Sequence, residues 1–214
     1  MEIAAYDAAV NEANRGHFTL ALEILKEGQH PHPHVSPRIL ILTAELLHHT
    51  GDNATAVSIT QSLMKAGDLH GSLAGRCLSV LGLCAFEAGQ LRRSSNLFQR
   101  AIRFGEDTQD LEGTCRALMC LLSNLADVYT PSSLASLVSE AERCVRRLGS
   151  LTMTVWFHLI LGRTEGRRGL LDEADQHLTA ARSLMDGNLN PWLKGLYSLD
   201  ASVLSHLGAD FKDS

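Results

Sequence analysis

The sequence predicts an all-α fold built as an array of helix pairs, and two periodic patterns carry that expectation. In the first, a small residue stands seven positions before a glycine: Ala9 and Gly16, Ala44 and Gly51, Gly82 and Gly89, Gly162 and Gly169, Ala201 and Gly208. These glycines fall 35, 38, 80 and 39 residues apart, and 80 is two steps of 40. Fixed spacing of this kind marks a repeat array, in which one helix pair cannot bury its apolar face alone. The second pattern follows each glycine. Five residues on stands Ala21, Ala56, Ser94 or Ala174; nine on, Leu25, Thr60, Phe98 or Leu178; twelve on, Gly28, Leu63, Ala101 or Ala181.

Within a unit the small residue lets the two helices approach closely. The glycine ends the first helix, because glycine takes the left-handed conformation without steric cost. Unit one opens on MEIAAYDAAVNEANRG, an amphipathic helix without the basic region and apolar stretch of a signal peptide. His30-Pro31-His32-Pro33-His34 follows it, kept out of the helices by its prolines. Units three and five show the pattern best, as LGLCAFEAGQLRRSSNLFQRA (Leu81 to Ala101) and LGRTEGRRGLLDEADQHLTAA (Leu161 to Ala181). Unit four departs from it and reads Asp127-Val128-Tyr129-Thr130-Pro131 where its glycine should fall. There Thr130 is expected to cap a helix and Pro131 to take its first position. Leu122 replaces the small residue, which predicts a wider helix pair and a local change of pitch. Unit six has a first helix, Pro191 to Leu207, expected to stop at Gly208 before a second helix that is not completed. A repeat array needs a polar cap on its last unit. The expectation is therefore a single repeat domain over residues 1–214, the N-terminal fragment of a longer chain. Leu196, Leu199 and Val203 would be left uncovered, which predicts a homodimer through the C-terminal end.

These motifs resemble the tetratricopeptide repeat (TPR), with its Leu-Gly on the first helix, turn glycine, second-helix alanine and later large residue and alanine. The resemblance covers nearly the whole chain and is weakest in unit four. The spacing exceeds the common period of about 34 residues and is closer to the stretched repeats of regulatory and scaffold TPR proteins. It implies a right-handed α-solenoid of about five and a half units, with a concave groove lined by the first helices. The function it implies is binding a peptide or helix segment of another protein. The alternative is a sensory or regulatory segment of a larger bacterial-type signalling or transcription regulator; a TPR-like helical enzyme ranks last.

Composition bounds the rest. The chain has 214 residues, 45% hydrophobic and 20% charged, as in an ordinary globular domain. No apolar run approaches the roughly 20 residues that span a bilayer, so no membrane partner is expected. A net charge of −5 and only 5% aromatic residues argue against a nucleic-acid surface. Five cysteines, an odd number, sit mostly on apolar helix faces and suit a reducing, cytoplasmic setting. No cofactor or metal is expected. The imidazoles of the His-Pro tract do not share a face at three residues per turn, and Cys77 and Cys84 are too far apart in sequence for a zinc pair. Nucleophile elbow, P-loop, dinucleotide fingerprint and zinc-protease motifs are missing, so no catalytic residues are assigned.

The arginines carry the functional signal. They outnumber lysines 15 to 4, and 12 of them lie between Arg76 and Arg168. Pairs at 92–93, 146–147 and 167–168 read as solvated outer-face charge. Arg38, Arg76 and Arg116 share a register, each six before the small-residue position (Ala44, Gly82 and Leu122). The TPR resemblance turns that position into the groove, where the three would form a ladder and Arg163 would extend it. Guanidinium groups suit bidentate recognition of carboxylates, with Glu45, Glu87 and Glu112 as the internal carboxylates that could claim them first. Phe86 and Trp156 add apolar contacts, Trp156 as an anchor unless it packs between units four and five. An acidic peptide is the expected ligand. The lysine–asparagine pairs of the chaperone-type TPR clamp have no counterpart here.

Overall fold

The structure, a computed structural model, describes residues 2–28, 35–67, 69, 71–126, 131–185 and 190–212. Among these residues all regular structure is helical: α1 (Glu2–Asn14), α2 (Phe18–Gly28), α3 (Pro37–His49), α4 (Asn53–Ala66), α5 (Ser72–Glu87), α6 (Leu91–Asp107), α7 (Leu111–Ala126), α8 (Pro131–Leu148), α9 (Leu151–Gly166), α10 (Leu171–Leu184) and α11 (Pro191–Lys212). The chain divides into two compact units, Met1–Leu121 and Leu122–Ser214. The division falls inside α7, where buried Leu122 holds the place that a small residue holds elsewhere.

The first unit contains three hairpins, α1–α2, α3–α4 and α5–α6. Their turns are made by Gly16, Gly51 and Gly89, at φ of 81°, 89° and 72°. The α3–α4 turn shows how the backbone groups are satisfied. Gly51 N–H donates to the His48 carbonyl at 3.0 Å and Asp52 N–H to the Leu47 carbonyl at 2.8 Å, closing α3. The Asp52 carboxylate then accepts from Thr55 N–H at 3.1 Å and caps α4. The small-residue position acts as a close-packing point. A Cβ on Gly82 would stand 2.6 Å from the Phe98 ring, and Ser94 Oγ donates to the Gly82 carbonyl at 2.7 Å.

First helices lie side by side here, α1 on α3 and α3 on α5. Each second helix packs on first helices, while α4 and α6 do not pack on each other. Core side chains fill the layer between: Ala9, Leu25 and Leu46 at one end, Ala44, Ala56 and Val80 further on, then Ile41, Leu63 and Cys77. Each large apolar side chain buried in this way contributes about 1.5–3 kcal/mol.

In the second unit α9 is the central helix, with α8, α10 and α11 against it, and α11 also touches α10. Ser150 caps α9 by accepting from Met153 N–H at 3.4 Å, and Gly169 (φ 77°) turns the chain into α10. Gly162 faces Leu178 and the Ala174 carbonyl closely; a Cβ there would stand 3.1 to 3.3 Å from them, tight enough that Leu178 would have to give slightly. Val155, Leu159, Leu178, Ala181 and Leu193 form the core. Helix α8 begins at Pro131, and its expected cap Thr130 lies outside the described residues.

One expectation fails. Helix α11 runs from Pro191 to Lys212, straight through Gly208, where a stop and a turn were expected. A glycine inside a helix costs only about 1 kcal/mol against alanine. It permits a stop without imposing one.

Candidate functional site

In the first unit, polar side chains from three successive first helices meet in a continuous seam. Arg38 (α3) lies over the Tyr6 ring (α1), with its guanidinium carbon 5.0 Å from the ring centroid. The Tyr6 hydroxyl accepts from Arg76 (α5) at 3.5 Å. Arg76 is held by Glu45 (α3) in a two-pronged contact, Nε at 2.9 Å and Nη2 at 2.6 Å. Burial works against the Arg76 charge, but the hydrogen bonds and charge of Glu45, with a smaller share from Tyr6, hold it above the ordinary guanidinium range. Glu45 is thus committed to Arg76. Arg38 is exposed and makes no ion pair among the described residues.

The seam continues toward the C-terminal end of α3. The His49 ring stacks on Phe18 at 4.3 Å, nearly parallel at 9°, with an edge left in solvent. Burial, then the neighbouring charges of His48 and Arg116, push His49 down to about 4. Arg116 is exposed and contacts Glu112 one turn earlier at 3.3 Å. Phe86 is half-buried near the end of α5. Glu87 binds neither Arg38 nor Arg76; it accepts from Asn53 Nδ2 and lies 3.8 Å from His48 Nε2.

Cys84, His48 and Asn53 come together beneath this surface, with the thiol 4.0 Å from His48 Nδ1 and donating to Asn53 Oδ1 at 3.4 Å. Burial, with Glu87 nearby, pushes the Cys84 thiol up to about 11, and burial pushes Cys77 up to about 12. These are thiols rather than thiolates at neutral pH, and thiols are poor nucleophiles.

The other expected site residues belong to the second unit. Trp156 is half-buried and meets Trp192 of α11 edge-to-face at 5.7 Å. Arg163 Nε stands 3.6 Å from Asp200 Oδ1, deep between α9 and α11. Asp200 is 6% exposed and its Oδ2 has no hydrogen-bond partner. A cavity of about 20 Å³ beside it is lined by Arg163, Arg167 and the small faces of Gly162 and Gly166. Burial raises Asp200, and Arg163 and Arg167 offset part of that rise. His158 and His177 also meet in this unit, Nδ1 to Nδ1 at 3.1 Å, and burial lowers both. Among the described residues no group of three or more potential ligands stands close enough to hold a metal, and no helix is long and apolar enough to cross a membrane. The His30–His34 tract lies outside the described residues.

Sequence reasoning placed Arg38 and Arg76 in one register and missed two features. The first is Tyr6 as the shared partner of both. The second is a cleft between α4 and α6 of about 470 Å³, lined by Lys65, Arg93 and Arg100 above Leu78 and Leu81. A signal for it exists: Arg93, Asn96 and Arg100 repeat at three- and four-residue steps, beside the buried stripe Leu97, Phe98, Ala101 and Ile102.

No protein-family model matches the chain, and no curated protein does. Among solved structures it is similar to the crystal structure of BtubC (BKLC) from P. vanneervenii. The TM-score is 0.61 at 17% identity, over 99% of this chain and 84% of that one. At that identity the likeness extends to the all-α fold alone.

Proposed function

We propose that the chain is a TPR-like helical-repeat module, a right-handed solenoid that binds a segment of another protein on its first-helix face. The seam of Tyr6, Arg38, Glu45 and Arg76 supports this reading. Two guanidinium groups from neighbouring hairpins share the Tyr6 side chain there, Arg76 is fixed by Glu45, and Arg38 presents its donors to solvent. A peptide laid across α1, α3 and α5 meets an aromatic ring, a fixed ion pair and one uncommitted guanidinium. That mixture suits a groove that anchors a chain by one residue and orients it by one charge. The proposed setting is the cytoplasm, and the proposed role is scaffolding without catalysis.

Selection of peptides from a displayed library on the immobilised protein tests this. Selected peptides should bind Arg38→Glu and Tyr6→Ala at least tenfold more weakly than the parent, a loss of about 1.4 kcal/mol or more. Peptides that bind both variants as well as the parent would place the site elsewhere.

A further inference from the structure

We infer that the cleft between α4 and α6 is a second docking site, for an acidic peptide segment that carries an apolar side chain between two carboxylates. The cleft exists because α4 and α6 each pack on first helices and not on each other. Its floor is apolar, Leu78 and Leu81 of α5, with Met64 of α4 on one wall. Its rim is cationic. Lys65 stands on α4, and Arg93 and Arg100 stand on α6, with no carboxylate among the lining residues.

The charges are uncommitted. Arg93 donates to the neutral Gln90 side-chain oxygen at 2.9 Å, and none of the three cations makes an ion pair among the described residues. That separates them from Arg76, Arg116, Arg146, Arg163 and Arg168, each of which faces a carboxylate of this chain. In a chain of net charge −5, three unpaired cations over an apolar floor are an imbalance that an outside anion can complete.

Geometry narrows the anion. Arg93 and Arg100 are two turns apart on one face of α6, about 10 Å at about 1.5 Å per residue. Two carboxylates three residues apart on a chain in the polyproline II conformation, with three residues per turn at about 3.1 Å each, share one face and span nearly the same distance. An apolar residue between them lies over Leu78 and Leu81. Nucleic acid fits less well, since the lining holds no aromatic ring on which a base could stack. The site is independent of the first-helix seam and shares no residue with it.

A fluorescein-labelled peptide, Ser-Glu-Leu-Phe-Glu-Ser, titrated by anisotropy tests the inference, with Ser-Gln-Leu-Phe-Gln-Ser and a single-stranded oligothymidylate as comparison probes. Binding should weaken at least tenfold in the glutamine peptide and in the double variant Arg93→Glu/Arg100→Glu. It should stay within twofold in Arg146→Glu, whose arginine already has its carboxylate, and within twofold in Arg38→Glu. Amide resonances of α4 and α6 should shift on titration. Loss in Arg38→Glu with no loss in the α6 double variant would overturn this site while leaving the first-helix reading intact. Equal binding of the glutamine peptide, tighter binding of the oligothymidylate, or no binding up to about 1 mM would overturn it outright. All four exchanged arginines are exposed, and far-UV circular dichroism checks that each variant is folded.

Discussion

Gly82 and Gly162 occupy the same place in their repeats and are not equally replaceable. A Cβ at Gly82 would lie 2.6 to 2.9 Å from three atoms of the Phe98 ring, and that ring is itself 1% exposed and boxed in. At Gly162 the nearest atoms are 3.1 to 3.3 Å away, and two belong to a leucine side chain that can shift slightly. Alanine gains up to about 1 kcal/mol over glycine inside a helix. That gain should offset the crowding in Gly162→Ala and fall short in Gly82→Ala, where overpacking costs about 1–3 kcal/mol. Thermal melts should therefore leave Gly162→Ala near the parent and lower Gly82→Ala by several degrees; the reverse order would refute the packing account. Asp200 gives a pH-dependent counterpart. Its folded value lies above the ordinary 3.8 because burial penalises the carboxylate. The stability it contributes is full below that value and is lost as pH rises through the folded one. Asp200→Asn does not titrate, so its melting temperature should gain on the parent from about pH 3 to about pH 7. A variant that loses ground on the parent as pH rises would contradict that burial.

At the scale of the element, the turn glycines and Gly208 make opposite predictions from one residue type. Gly51 and Gly89 hold φ of 89° and 72° with open space around the absent Cβ, so alanine there meets only backbone strain. Each should cost about 1–2 kcal/mol. Gly208 lies within α11, so Gly208→Ala should raise the melting temperature, and a fall there would restore the turn expected from the sequence. Most of the helix punctuation was legible because a left-handed turn is a demand that few residues meet. The exception at Gly208 was not, because glycine is also tolerated where nothing is demanded. The same contrast holds for the charges. A register of arginines is visible in a sequence, and so is Glu45 as a carboxylate able to claim one of them, but not that it claims Arg76 rather than Arg38, which the packing of α3 on α5 decides. Nor can a reader of α6 alone see that Lys65 of α4 stands across a cleft from Arg100.

For the whole molecule, the division at Leu121 and Leu122 has a measurable correlate. Both tryptophans, Trp156 and Trp192, belong to the second unit and contact each other, whereas helices of both units contribute to the far-ultraviolet signal. Denaturant unfolding followed by tryptophan fluorescence should give a midpoint different from that by circular dichroism. Superimposable curves would mean that the two units unfold as one. The cysteines extend this into time. None of the five is in a disulfide, and all are buried: Cys77, Cys84, Cys115 and Cys120 in the first unit, Cys144 in the second. A thiol reagent can reach them only when the surrounding helices part, so the alkylation rate at each becomes a clock for local opening. The molecule carries, at fixed points along its length, its own set of timers for how often each unit breathes.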